Sequence, residues 1–328
     1  MRLIDGAVGS SRVALGAGLL SLLASTAYAG TLQVPSEQPT IAAAIAAAQP
    51  GDQIEVAGGR HCGALVDKRV SLVGRDGATI VGCAQSPVIA GGLRVGFLLA
   101  GSADATPADD TRITGFTFDG AGVSARRREG LAFGVFSRFN SGVIVSNNVF
   151  LGLVQAVTNT AGDRWVITSN RVRGLTALSG GGVGIVVQSA DGALAALGGA
   201  LNLHNRPEDN TVADNDVEGR IPDGLDGYSM AAILVVAADR TVVSRNHVRL
   251  PANPRGRAAG EGVLVTSKTA GLDDAHAPGA RETVVEENDG RGCGIAVLVE
   301  HPGVPNTAGL ELRANRGEVV VQEASALR

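Results

Sequence analysis

A six-residue pattern of apolar and polar positions, anchored on asparagine, recurs along the chain. Its clear copies are Ile144-Val145-Ser146-Asn147-Asn148-Val149, Ile167-Thr168-Ser169-Asn170-Arg171-Val172, Val212-Ala213-Asp214-Asn215-Asp216-Val217 and Val243-Ser244-Arg245-Asn246-His247-Val248. Two degenerate copies follow around Asn288 and Asn315, and an earlier one, Ile113 to Phe118, has Phe116 in place of the asparagine. Counted from Asn147, the asparagines stand 23, 45, 31, 42 and 27 residues apart. A fixed register with variable spacing describes a coil of near 23 residues whose loops can grow. Apolar residues fall three before and two after the asparagine and point inward, while the residues between point out. The asparagine itself is expected to take the left-handed bend at the corner and to bond to the asparagine stacked on it.

Between these copies runs a second apolar strand with a small leading residue: Gly134-Val135-Phe136, Gly184-Ile185-Val186, Ala232-Ile233-Leu234, Gly262-Val263-Leu264 and Gly294-Ile295-Ala296. Each coil therefore carries at least two parallel strands and a turn-rich third side, and stacking on the next coil satisfies its backbone. Upstream, Thr40 to Ala48 places Ile41 and Ile45 on one helical face, with Thr40 as N-cap and Pro50-Gly51 as the stop. So short a helix needs packing, and the open first coil supplies it. The alternation Gln53-Ile54-Glu55-Val56 then begins the first strand. Nothing covers the last coil, and the chain after about Gln322 is expected to be loose.

Composition agrees with thin stacked layers. The chain is 45% hydrophobic with 46 glycines, yet only 3% aromatic with two methionines, so Val, Ile, Leu and Ala must build the core. The formal charge of -4, with both signs interspersed, makes no electrostatic case for nucleic acid. Arg2 and Arg12, the apolar run Val13 to Leu23 and Ala27-Tyr28-Ala29 have the layout of a secretory signal peptide, and the run is too short to span a bilayer. Residues 1–29 are read as a leader and residues 30–328 as one domain, secreted or periplasmic. In that compartment Cys62 and Cys83, 21 residues or one coil apart, are expected to form a disulfide, with Cys293 unpaired.

The run Pro39-Thr40-Ile41-Ala42-Ala43-Ala44-Ile45, followed by Pro50-Gly51-Asp52-Gln53-Ile54-Glu55-Val56, resembles the opening of the pectate-lyase-like superfamily, and the Asn-x-Val turns are similar to its repeats. The resemblance covers nearly all of residues 30–328. It implies an all-β, right-handed parallel β-helix solenoid with a short N-terminal capping helix. It implies no single activity, because that superfamily includes lyases, hydrolases, esterases, epimerases, tailspikes, adhesins and non-catalytic periplasmic proteins.

Candidate chemistry lies beside the long insertions at residues 188–209, 219–230, 250–261 and 266–281. Loops of that length on a repeat scaffold frame a groove, here along the ladder Gly184, Ala232, Gly262 and Gly294. The segment Arg249-Leu250-Pro251-Ala252-Asn253-Pro254-Arg255 is similar to the arginine loop of pectate lyases, in which one arginine takes the proton beside a uronate carboxylate and others hold that group. Arg249 and Pro251 match the first two places, Arg255 falls one residue late, and the family's Trp-Ile-Asp-His strand is missing. His247 beside Arg249 completes the catalytic set. Asp214, Asp216 and Glu218 alternate on one face and suit calcium, while Asp223, Asp226 and Arg245 would contact substrate. The plain alternative for both clusters is a solvated surface. Two functions remain open: binding or cleavage of an acidic polysaccharide, lyase chemistry being preferred to hydrolysis, or a non-catalytic envelope β-helix used for binding or assembly.

Overall fold

The computed structural model describes residues 29–121, 123–124, 127–128, 130–176, 182–190, 206–219, 230–252, 260–266, 280–300 and 309–322. Residues 1–28, most of the four long insertions and the chain beyond Gln322 lie outside the described residues, and so do Asp223, Asp226 and Arg255. The rest is a right-handed parallel β-helix with three sheets. One coil shows the plan: Ile144–Ser146 enters the first sheet, Val149–Leu151 the second and Gln155–Thr160 the third. The first sheet has ten strands and the second seven, all parallel; the third adds one short antiparallel strand, Val88–Ile89, to nine parallel ones.

Alternation puts like on like inside the coil. Val145, Ile167, Val212, Val243 and Val285 stack beneath the first sheet, and each is fully buried. Phe118, Phe150, Val172, Val217 and Val248 do the same beneath the second. Burying such a side chain stabilises by roughly 1.5–3 kcal/mol, and one continuous core runs from Val34 to Val299. The single Trp165 belongs to that core; its indole N–H donates to the carbonyl of Asn140 at 2.7 Å.

The corner between the first and second sheets corrects the expected register. The ladder passes through Asn148, not Asn147, then through Asn170, Asn215, Asn246, Asn288 and Asn315. The left-handed residue is the one before each ladder member: Asn147, Ser169, Asp214, Arg245, Glu287 and Ala314 all have φ between 49° and 57°. That bend turns the following N–H and side chain together into the coil. One Oδ1 can then accept both the backbone N–H and the amide of the asparagine a coil earlier, at 3.1 and 3.2 Å for Asn148 on Asn170. Each Nδ2 also donates to a core carbonyl, as Asn170 does to Val145 at 2.8 Å, so the buried amides are satisfied. Phe116 heads the ladder as expected, its N–H donating to Asn148 Oδ1.

The small leading residues of the third sheet form an interior ladder, Gly134, Ala156, Gly184, Ala232, Gly262 and Ala296. A Cβ on Gly184 would lie 2.4 Å from the carbonyl oxygen of Ala232 and 2.9 Å from Val217 Cγ1, so the position faces the core. Two details differ from expectation: Ala156 had been missed, and Ala296 holds the place given to Gly294, since Val297 pairs with Val263.

At the N-terminal end the helix Ile41–Ala47 forms as expected, with Thr40 Oγ1 accepting the Ala43 N–H at 3.1 Å and Ile41, Ala44 and Ile45 buried. The first strand, however, is Thr31–Val34, which precedes the helix and pairs with Gln53–Val56. Cys62 and Cys83 form the expected disulfide, with Cα atoms 5.5 Å apart. Cys62 aligns with Val81, so the bridge ties a strand of one coil to the turn of the next. At the other end, Val319 and Val321 belong to the last strand of the third sheet and remain exposed.

Candidate functional site

The second sheet carries most of the chemistry read from the sequence, in two outward rows. One row holds Arg171, Asp216 and His247 in register, continued by bridges to Asp289 and Arg316; the other holds Arg173, Glu218 and Arg249, with Arg291 beyond. Neighbouring strands in such a sheet stand about 4.8 Å apart, which brings each charge within reach of the next coil. Arg173 pairs with Asp216 and lies 3.7 Å from Glu218. Glu218 also reaches Arg249 at 3.8 Å. Arg291 donates twice to Asp289, at 2.9 and 2.6 Å, and holds that carboxyl well below the usual carboxylate range. His247, half exposed, stands 3.9 Å from Asp289 through Nδ1.

Asp214 departs from the expected cluster. It sits at the left-handed corner, outside the strand Asp216–Gly219, and its two oxygens each accept from Arg245 at 2.9 Å. That pairing raises the Arg245 guanidinium further above its ordinary value. The parity that seemed to align Asp214 with Asp216 and Glu218 is broken by the bend at Asp214. Among the described residues, no group of three or more His, Cys, Asp and Glu side chains is placed to hold a metal ion. A shallow groove of about 360 Å³ does run over this corner, lined by Asn147, Ser169, Arg171, Asp214 and Asp216. With Asp214 tied to Arg245 and Asp216 to Arg173, the Arg171 guanidinium is the groove's charge without a partner among the described residues.

The third sheet turns the ladder Gly184, Ala232 and Gly262 inward, and most of each insertion expected to frame a groove beside it lies outside the described residues. The outer face of this sheet is largely apolar. Val95, Ala132, Phe133, Phe136 and Val154 pack together at the N-terminal end, and Ala231, Leu264 and Leu298 at the other. Between them lies a polar patch: Gln155 accepts from Thr158 at 2.6 Å, and Gln188 donates to Thr160 at 3.1 Å. Gln155 and Gln188 belong to no motif, so the sequence gives no signal of this patch. Cys293 donates to the Val248 carbonyl, and burial pushes its thiol up to about 11, so it is poorly suited to nucleophilic chemistry.

No family model and no curated protein matches the sequence. Solved structures do match it in shape. The surface adhesin PfbA of Streptococcus pneumoniae is 12% identical with a TM-score of 0.53, over 86% of this chain and 76% of that one. A pectin methylesterase, 12% identical with a TM-score of 0.48, covers 92% of this chain and 94% of its own. An alginate lyase from Paenibacillus sp. str. FPU-7, 13% identical with a TM-score of 0.47, covers 89% and 98%. At such identities the likeness is one of architecture alone. This chain has the right-handed parallel β-helix fold that the opening motif and the asparagine turns led us to expect.

Proposed function

We propose that the protein is an exported, non-catalytic β-helix that binds an acidic polysaccharide across the outer face of its second sheet. The observation that carries this reading is the state of the arginines there. Among the described residues, six of them, Arg60, Arg171, Arg173, Arg249, Arg291 and Arg316, share the face with four carboxylates, Asp119, Asp216, Glu218 and Asp289. The ion pairs among them are exposed, so each is worth about 0–1 kcal/mol and can be exchanged for a uronate carboxylate. Arg171 and Arg316 stand in no ion pair with a described residue. A polymer with one negative charge per sugar would thus meet a ladder of donors along the solenoid axis.

The same pairing argues against lyase chemistry at the described positions. An arginine acts as a base only when its charged form is disfavoured, whereas Arg249 lies beside Glu218 and Arg245 is held charged by Asp214. Calcium is not needed for this reading, because guanidinium groups take the place of the cation.

The test is a binding series of the mature protein with polygalacturonate, alginate and neutral dextran at rising salt. The two acidic polymers should bind, with affinity falling as salt screens the face, and dextran should not. Arg171→Ala and Arg316→Ala should each weaken binding by about two- to fivefold, the range for an exposed charge contact. Equal binding of dextran, or release of unsaturated uronates from either acidic polymer, would overturn the proposal.

A further inference from the structure

A second cleft lies on a different face, at the N-terminal end of the third sheet, and none of the chemistry above uses it. It encloses about 310 Å³ and is lined by Leu65, Ile89, Leu98 and Phe136, with the backbone turn Ala100-Gly101 and the side chain of Arg138 at its edge. That volume is at the lower end of the range for small-molecule pockets, and the lining, mostly apolar with one convergent charge, is of the kind such pockets have. Leu65 is 47% exposed although it stands on the outer face beside Leu98, so the apolar surface is open at its mouth.

Arg138 gives the cleft its direction. Its guanidinium carbon lies 5.7 Å from the centroid of the Phe136 ring, which fixes the planar group against the aromatic wall. Its Nε is buried and has no hydrogen-bond partner, and no carboxylate lies among the described residues that line the cleft. A buried donor left unpaired is costly. The edge formed by Nε and one terminal nitrogen of a guanidinium is the edge that a carboxylate engages with two parallel bonds.

We propose that this cleft binds a small carboxylate with an apolar body, an aromatic or short aliphatic acid, its carboxylate on Arg138 and its body against Leu65, Ile89, Leu98 and Phe136. Sugar acids fit it poorly, since their hydroxyls would lose water against a wall that returns few hydrogen bonds. The site is therefore separate from the polysaccharide face and does not depend on it.

Matched probes test the idea. Phenylacetate and phenylacetamide have the same body and differ in charge, and both can be titrated into the mature protein by calorimetry. Phenylacetate should bind saturably, with the amide at least about tenfold weaker, as the loss of a charge-assisted bond implies. Arg138→Met keeps the apolar stem and should bring the two probes to equal affinity. Leu65→Glu, at an exposed position that folding tolerates, should abolish phenylacetate binding, and thermal melting verifies that both variants are folded. Equal binding of acid and amide by the unmodified protein, no saturable binding of phenylacetate, or an unchanged preference in folded Arg138→Met would each overturn the proposal.

Discussion

At the scale of single residues, the corner of the coil separates two roles that the sequence had merged in one asparagine. The adjacent pair Asn147-Asn148 offered two registers, and aligning on Asn147 put the left-handed bend and the ladder bond on the same side chain. In the structure Asn147 makes the exposed bend and Asn148 makes the buried ladder. The difference can be measured. Asn148→Ala removes a buried amide that donates to Ile113 O and Asn170 Oδ1 and accepts the Phe116 N–H. It should cost about 2–4 kcal/mol in urea unfolding, because more than one buried partner is stranded. Asn147→Gly suits the positive φ and strands no buried group, so its effect should stay within about 0.5 kcal/mol. Similar losses at both positions would contradict the division. The same bend explains why the carboxylate cluster was misread. Asp214 has the right spacing from Asp216 and Glu218, but spacing predicts a shared face only while the chain stays extended.

At the scale of the element, the third sheet shows where periodicity stops informing. A strand that is apolar on both faces gives no alternation, so Phe136, Val186, Leu234, Leu264 and Leu298 read as core although they form one outward row. The apolar cleft and the Arg138 site were illegible for that reason. The small-residue ladder was legible as a pattern but was assigned to a groove, since nothing in a glycine says which way it faces. Its true role follows from contact: the backbone of the next coil and the side chains of the second sheet leave no room for a Cβ at Gly184. Gly184→Ala should therefore cost several kcal/mol, because the nearest obstacle is the Ala232 carbonyl and backbone cannot rotate aside. Ala232→Gly should lose only about 1 kcal/mol, the ordinary cost of a glycine in an element interior. Thermal unfolding of the two variants checks the direction, and a harmless Gly184→Ala would mean that Ala232 and Val217 stand farther from this position than we describe.

At the scale of the whole molecule, a solenoid has no single centre, and each coil is held by its two neighbours. The two ends of this one differ. The first coils lie under the Ile41–Ala47 helix and are tied by the Cys62–Cys83 bridge, whereas Val319 and Val321 of the last coil face solvent. Both features of the N-terminal end were legible in the sequence, the helix from its cap and apolar spacing, the bridge from a separation close to one coil. Amide exchange should then be slowest in central strands such as Val166–Thr168 and Thr211–Ala213, and fastest at Glu311–Arg313 and Val319–Gln322, where opening strands only one interface. Reducing the bridge, or replacing it with the Cys62→Ser/Cys83→Ser pair, removes a constraint on a loop of 21 residues, worth about 3 kcal/mol in the chain-entropy model. Because coupling passes only between adjacent coils, exchange should accelerate in Gly59–Cys62, Ala78–Val81 and their neighbours and remain unchanged beyond the middle of the solenoid. Uniform acceleration along the chain would mean that the β-helix opens as one cooperative body, and the nearest-neighbour account of its stability would have to be given up.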